Sequence, residues 1–143
     1  MKSNNSLARK LKIKLEKHEA RISIVGLGYV GLPLAIRFND EGFKVNGLDI
    51  DKSKIERLNS KKSYIKHIDD KTIETLLKNN FQPSSSFNLV KNSDVIIICV
   101  PTPLGIHNEP DLSYVHKTLD AIKPFLKNGQ MIVLESTTYP GTT

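Results

Sequence analysis

The residues with the clearest chemical meaning form a glycine-rich turn, G-L-G-Y-V-G, whose glycines are Gly26, Gly28 and Gly31. The turn follows a short apolar run and precedes a helical pattern, the context in which this motif binds a dinucleotide. Gly26 permits a tight turn, Gly28 lets the backbone approach a pyrophosphate, and Gly31 lets the helix pack closely on the strand. The predicted cofactor contacts are the whole turn: Gly26, Leu27, Gly28, Tyr29, Val30 and Gly31. The alternative is a strand–helix turn that binds no ligand.

An acidic residue after the turn favours the dinucleotide. Asp49 lies 18 residues after Gly31, close to the spacing of about 20 at which a carboxylate accepts hydrogen bonds from ribose hydroxyls. The same carboxylate repels a 2′-phosphate, and no arginine follows at once to accept one. The sequence therefore predicts a site for NAD rather than NADP.

Two further segments follow predicted strands. Residues 99–103, C-V-P-T-P, end an apolar run, and residues 135–143, E-S-T-T-Y-P-G-T-T, follow the last one. Ligands of open α/β sheets bind outside the carboxyl ends of the strands. Both segments can therefore reach a ligand, since Thr102 is held between two prolines and the later segment is rich in hydroxyls. The alternatives are a turn that only ends a strand and a solvated Ser/Thr loop.

The cysteine and the histidines are interpreted as structural or solvated. Cys99, the single cysteine, lies among Ile97, Ile98 and Val100, where a thiol behaves as a small apolar group with a raised pKa. The four histidines have no ligand-like spacing, so no metal is predicted. A lone cysteine forms no internal disulfide, which favours a cytoplasmic protein.

Strands and helices alternate after residue 20. The predicted strands are 22–25, 43–48, 95–100 and 131–134, with a further short strand near 83–86. The predicted helices are 29–39, with Val30 on its packed face, one capped by Asp51 or Ser53, 71–78, and 111–122. This order predicts an α/β fold, a Rossmann-type doubly wound parallel sheet in three layers whose second half is incomplete. An incomplete sheet leaves an edge that can pair with another copy, as in a homodimer.

The basic residues are concentrated at the N-terminus. The net charge is +6, of which residues 1–21 carry +5 and residues 22–143 carry +1. Nucleic acid is disfavoured as a partner, because the body is nearly neutral and its aromatic residues are scattered. Residues 1–20 are predicted to be a basic arm ending in a helix with leucines on one face. That helix either lies on an anionic membrane or packs on a protein surface, and packing is favoured. No transmembrane segment and no secretory signal are predicted.

These segments, in this order, resemble the nucleotide-sugar 6-dehydrogenases, the UDP-glucose/GDP-mannose dehydrogenase family. The resemblance rests on G-L-G-Y-V-G-L-P, V-P-T-P and E-S-T-T-Y-P-G-T-T, and it covers about residues 20–143. Residues 62–68, K-S-Y-I-K-H-I, and residues 109–113, E-P-D-L-S, look most like the branch that acts on UDP-N-acetylglucosamine. The alternatives are the branches that act on UDP-N-acetylmannosamine or UDP-glucose.

The resemblance implies a twofold oxidation of the sugar C6 alcohol to a carboxylate by NAD, for surface polysaccharide synthesis. In the family the aldehyde is captured on a cysteine, oxidised to a thioester and hydrolysed. The resemblance implies further cofactor contacts at Lys54, Val100, Pro101, Thr102, Pro103, Ser136, Thr137 and Thr138. It also implies that Thr137 helps to orient the catalytic water, whereas the role of Glu135 stays open.

The family resemblance also limits what the chain is expected to do alone. Family members run to several hundred residues, and their nucleophilic cysteine, general-base lysine and UDP-sugar residues lie beyond position 143. Residues 21–143 are therefore predicted to be a NAD-binding domain that binds its cofactor without turnover. The alternative from a different functional class is a stand-alone, non-catalytic dinucleotide-binding module.

Overall fold

The structure is a computed structural model and describes residues 2–136. In this part of the chain the strands are β1 (Arg21–Val25), β2 (Lys44–Leu48), β3 (Phe81–Ser84), β4 (Val95–Ile98) and β5 (Met131–Leu134). The α-helices are α1 (Lys2–Glu16), α2 (Gly31–Asp40), α3 (Lys52–Asn59), α4 (Asp70–Lys78) and α5 (Ser113–Ile122). Two short 3-10 helices, Phe87–Asn92 and Lys123–Phe125, flank β4 and α5.

The strands form one parallel sheet in the order β3-β2-β1-β4-β5. The chain runs outward from β1 through β2 to β3, then returns to the other side of β1 as β4. In the centre of the sheet Ile24 pairs with Gly47 on one side and Ile97 on the other. The change of direction creates a crevice beyond the carboxyl ends of β1 and β4, where ligands of such sheets bind. The predicted Rossmann-type fold class is confirmed.

Strand β4 is buried on both faces of the sheet, which explains why apolar and polar residues do not alternate along it. Val95 and Ile97 belong to the larger apolar cluster, which packs under α2, α3 and α4. Ile96 and Ile98 belong to the second cluster, together with Ile122 of α5. Because side chains of a strand point alternately to the two faces, a strand covered on both faces must be apolar throughout. The sheet is thus the middle of three layers.

The N-terminal helix packs on the domain. Leu11 and Leu15 contact the larger apolar cluster. Asp94 holds the junction between arm and sheet, because its carboxylate accepts from Lys14 Nζ at 2.8 Å and from the Arg21 backbone N–H at 2.8 Å. The leucine face therefore lies against the domain. Of the two predictions for the arm, this agrees with packing on a protein surface.

Several element boundaries differ from the predicted ones. Helix α2 begins at Gly31 instead of Tyr29, and Val30, predicted to be packed, is 57% exposed. The prediction for Val30 was wrong because residues 26–30 are needed to turn the chain before the first helical residue. At α3, Asp51 is the cap and accepts from the Ser53 backbone N–H at 2.9 Å. Strand β3 lies at Phe81–Ser84, two residues before the predicted position.

Candidate functional site

A cavity of about 670 Å³ opens at the crevice beyond β1 and β4, a size typical of small-molecule sites. It is lined by ten of the residues predicted as cofactor contacts: Gly26, Gly28, Tyr29, Val30, Asp49, Lys54, Val100, Pro101, Thr102 and Ser136. These residues come from four different parts of the chain and meet because parallel strands end at one edge of the sheet.

The remaining predicted residues are not in the cavity wall, or lie outside the described part. Leu27 is fully buried, and its side chain contributes to the larger apolar cluster. Gly31 is buried at the start of α2. Pro103 is exposed, and its carbonyl accepts from the Asp111 backbone N–H at 2.7 Å. Thr137 and Thr138 lie outside the described residues.

The three glycines of the turn meet three different environments. Gly26 has φ +98°, and a Cβ there would lie 2.8 Å from the carbonyl oxygen of Cys99. A Cβ on Gly31 would lie 1.7 Å from the carbonyl oxygen of Gly26. A Cβ on Gly28 would meet no atom within 4 Å, because Gly28 faces the cavity. The first and third glycines are thus required by the fold, and the second leaves open the space that a bound pyrophosphate would need.

Asp49 connects β2 to the glycine turn. It is 8% exposed, and its carboxylate accepts from the backbone N–H groups of Leu27 and Asp51, each at 2.9 Å. Lys54 Nζ lies 3.6 Å from Asp49 Oδ2 and also lines the cavity. A carboxylate has about four acceptor positions. Asp49 can therefore hold the turn and still accept hydrogen bonds from ribose hydroxyls, so these residues fit a dinucleotide.

Tyr64 supports the glycine turn, a role that was not predicted for it. Its hydroxyl donates to the carbonyl oxygen of Leu27 at 2.6 Å, and Lys54 Nζ lies 5.8 Å from the centre of its ring. Burial, followed by the nearby carboxylates of Asp49 and Asp51, raises the pKa of Tyr64 well above its ordinary value. The phenol therefore keeps its proton at neutral pH and can donate this hydrogen bond. The one feature of the sequence that pointed to Tyr64 was its place in the family-like stretch 62–68. No local pattern in the sequence predicts that this stretch contacts the glycine turn.

A second group of residues that line the cavity was also not predicted from the sequence. It consists of residues from the first 3-10 helix and α5: Phe87, Tyr114, Lys117, Thr118 and Ala121. The helical pattern of 111–122 predicted α5 but not which of its residues would face the crevice. Lys117 adds a positive charge on this part of the cavity wall. Lys54, beside Asp49, is the other lysine that lines the cavity.

Cys99 is confirmed as a small apolar group. It is 8% exposed, and burial, with a smaller effect of Glu135, raises the pKa of its thiol to about 11. The thiol is protonated at neutral pH, so it is a poor nucleophile. Cys99 contributes to the cavity wall next to the turn.

The ends of β4 and β5 are joined at the cavity. The backbone N–H of Glu135 donates to the carbonyl of Ile98 at 2.9 Å, which continues the ladder of the two strands. The hydroxyl of Ser136 donates to the carbonyl of Val100 at 2.8 Å. These contacts fix Glu135 and Ser136, the described part of the third predicted segment, relative to the second one. Both residues lie in the cavity wall together with Cys99, Val100, Pro101 and Thr102.

Residues 2–136 contain neither a metal-binding cluster nor a membrane-spanning helix. No group of three or more histidine, cysteine, aspartate or glutamate side chains is arranged to hold a metal ion there. In the same residues no helix is both long enough and apolar enough to cross a bilayer.

The arrangement defines a class of domain. A crevice at the switch point of a parallel sheet, with a glycine turn on one strand and an acid at the end of its neighbour, is the dinucleotide-binding domain of a dehydrogenase. Residues 20–143 match the model of the UDP-glucose/GDP-mannose dehydrogenase family, NAD binding domain. The chain belongs to this family, and its cofactor is NAD.

Individual relatives agree with the family. UDP-N-acetyl-D-mannosamine dehydrogenase of Pyrococcus horikoshii is 38% identical over 125 residues, which cover 86% of this chain and 30% of the relative. UDP-N-acetyl-D-glucosamine 6-dehydrogenase of Pseudomonas aeruginosa is 38% identical over 130 residues, 87% of this chain and 29% of the relative. A solved structure of the Pyrococcus horikoshii UDP-D-ManNAc dehydrogenase matches with a TM-score of 0.80 and 37% identity, over 86% of this chain and 30% of that chain. The chain thus spans about 30% of the length of these relatives.

Proposed function

We propose that this chain is the cofactor domain of a dehydrogenase that oxidises the C6 alcohol of UDP-N-acetylglucosamine to the uronic acid, for surface polysaccharide synthesis. The observation that carries the NAD part is the position of Asp49, which holds the glycine turn and lies in the wall of the crevice. Support for the sugar comes from the S-Y-I-K-H stretch and from a relative named for UDP-N-acetyl-D-glucosamine.

In this proposal each part of the cavity holds one part of NAD. The backbone of the glycine turn binds the pyrophosphate, while Asp49 and Lys54 bind the adenosine ribose. Val100, Pro101, Thr102 and Ser136 of the cavity wall line the rest of the cofactor. The family resemblance adds Pro103, which is outside that wall, and Thr137 and Thr138 as further cofactor contacts. NAD supplies the hydride acceptor of the oxidation. Thr137 has the further role of orienting a water molecule for hydrolysis of the acyl intermediate.

A different sugar is the second candidate. Relatives named UDP-N-acetyl-D-mannosamine dehydrogenase are as similar to the chain, at 38% and 39% identity. In both candidates the residues that select the sugar lie outside this chain. The cofactor domain described here serves either substrate in the same way.

We expect the isolated chain to bind NAD but to form no NADH from UDP-N-acetylglucosamine. The reason is that, in this proposal, the residues that bind the UDP-sugar and remove the proton of its C6 hydroxyl lie outside this chain, so the first hydride transfer to NAD does not occur. The one cysteine of the chain is buried, with a thiol pKa of about 11, and is a poor nucleophile for the later capture of an aldehyde. The measurement is NADH absorbance after mixing chain, NAD and each of three UDP-sugars: UDP-N-acetylglucosamine, UDP-N-acetylmannosamine and UDP-glucose. NADH formation that persists in a Cys99→Ala variant would refute the proposed division of roles.

The alternative that the chain is a stand-alone binding module is tested by the sequence of its gene. A reading frame that continues past Thr143 into a cysteine-containing domain would eliminate that alternative. The product of such a frame is expected to reduce NAD with the highest kcat/KM for UDP-N-acetylglucosamine. A higher kcat/KM for either other sugar would replace the proposed substrate.

A further inference from the structure

The segment between α3 and α4, residues 62–68, has a fixed conformation although it lacks regular structure. Ile65 and Ile68 are buried in the larger apolar cluster. Asp70, in the first turn of α4, accepts from the Ser63 backbone N–H at 2.8 Å, and Ser63 Oγ accepts from the Ile65 backbone N–H at 3.1 Å. Tyr64 is therefore held from both sides. Its hydroxyl reaches the glycine turn from a rigid support.

The two peptide groups next to the Leu27 α-carbon are both fixed by side chains. The N–H of Leu27 donates to Asp49 at 2.9 Å, and its C=O accepts from Tyr64 at 2.6 Å. The carbonyl of Leu27 and the N–H of Gly28 belong to the same planar trans peptide, in which the two groups point in opposite directions. Holding the carbonyl toward Tyr64 therefore directs the Gly28 N–H away from Tyr64.

Gly28 lines the cavity, whereas Tyr64 is not among the lining residues and contacts the turn through the carbonyl of the buried Leu27. A Gly28 N–H that points away from Tyr64 therefore points to the cavity side of the turn. Gly28 has no side chain, and no atom lies within 4 Å of where its Cβ would be. Packing at Gly28 therefore does little to prevent rotation of the Leu27–Gly28 peptide. The Leu32 backbone N–H holds the next peptide group by donating to the Gly28 carbonyl at 3.1 Å, and the Tyr64 hydrogen bond is the side-chain restraint on the Leu27–Gly28 peptide itself.

We propose that Tyr64 is a positioning residue, which orients the backbone N–H of Gly28 as a hydrogen-bond donor for the pyrophosphate of NAD. This inference rests on the proposed binding of NAD at the glycine turn. Tyr64 itself acts only through the Leu27–Gly28 peptide. The role predicts a specific loss of affinity for the phosphate part of the cofactor when the hydroxyl is removed.

The test compares Tyr64→Phe, which removes only the hydroxyl, with Thr75→Val as the matched control. Thr75 donates a hydroxyl hydrogen bond to the Lys71 carbonyl at 3.0 Å on α4, away from the crevice. Calorimetric titrations use NAD, ADP and adenosine, because only the first two carry a pyrophosphate. We expect Tyr64→Phe to weaken NAD and ADP binding by about five- to tenfold, which lies within the effect of one lost hydrogen bond. Adenosine affinity is expected to change less than about twofold, and Thr75→Val to leave all three unchanged.

A second readout needs no ligand. In an amide NMR spectrum of the free protein, Tyr64→Phe is expected to shift or broaden the Gly28 resonance, and Thr75→Val to leave it unchanged. An unaltered Gly28 resonance, or equal weakening of adenosine and ADP, overturns the positioning role. Failure of the unsubstituted chain to bind NAD overturns the proposed function instead, and the Gly28 resonance then still decides whether Tyr64 orients the peptide.

Discussion

Replacement of Gly31 by alanine is expected to lower the free energy of unfolding by about 3 kcal/mol, the upper end of the usual cost of overpacking. The added Cβ would lie 1.7 Å from the carbonyl oxygen of Gly26 and 3.3 Å from the Cβ of Cys99. Neither neighbour can move freely, because Gly26 donates to the Leu48 carbonyl at 2.7 Å and Cys99 to the Val25 carbonyl at 2.7 Å. Helix α2 must therefore separate from the sheet. The measurement is the midpoint of urea unfolding.

Gly28→Ala is the matched control for Gly31→Ala. Its Cβ would meet no atom within 4 Å, so the urea midpoint is expected to stay within error of the unsubstituted chain. The methyl group occupies space that the pyrophosphate needs, so NAD affinity is expected to fall by about tenfold or more. Equal midpoints for Gly31→Ala and Gly28→Ala would contradict this assignment of the two glycines.

Replacement of Asp49 by alanine is expected to weaken NAD binding by about 100-fold. The carboxylate supplies the acceptors for the ribose hydroxyls, and hydrogen bonds to a charged group contribute about 1.5–3 kcal/mol each. The same change leaves the backbone N–H groups of Leu27 and Asp51 without their acceptor, so the turn loses its support as well. Calorimetry of the folded variant measures the affinity.

Asp69→Ala is the control for loss of a carboxylate. Asp69 caps α4 by accepting from the Thr72 backbone N–H at 2.8 Å, and it lies outside the crevice lining. Its loss is expected to reduce stability by about 1 kcal/mol with NAD affinity unchanged. A second variant, Asp49→Asn, removes the charge and is expected to reduce the preference for NAD over NADP. NAD affinity that survives Asp49→Ala would remove Asp49 from the cofactor site.

The sequence predicts most of the sheet because the determinants of the sheet are local. The apolar run of β4, with no polar alternation, indicates burial on both faces, and Val95–Ile98 are buried as expected. Asp49 could be placed because its spacing from the turn is set by one helix and one strand. The start of α2 was predicted too early, since apolar spacing at Val30 does not show where the turn ends.

Other parts of the site depend on contacts between distant residues and could not be predicted. Tyr64 is 37 positions from Leu27, and its partner is a backbone carbonyl, which has no signature in the sequence. Tyr114 and Lys117 reach the crevice because of how α5 crosses the sheet, and helical periodicity alone does not give that angle. Asp49 and the glycines, whose positions follow from a local spacing, were therefore easier to predict than Tyr64, Tyr114 and Lys117.

The most direct test of the account is a calorimetric titration of this chain with NAD and, separately, with NADP. We expect one NAD site per chain and binding of NADP that is weaker by about tenfold or more, because Asp49 repels the 2′-phosphate. Equal affinity for the two dinucleotides would contradict the role of Asp49. Binding of neither would contradict the prediction that residues 21–143 form a competent NAD site on their own.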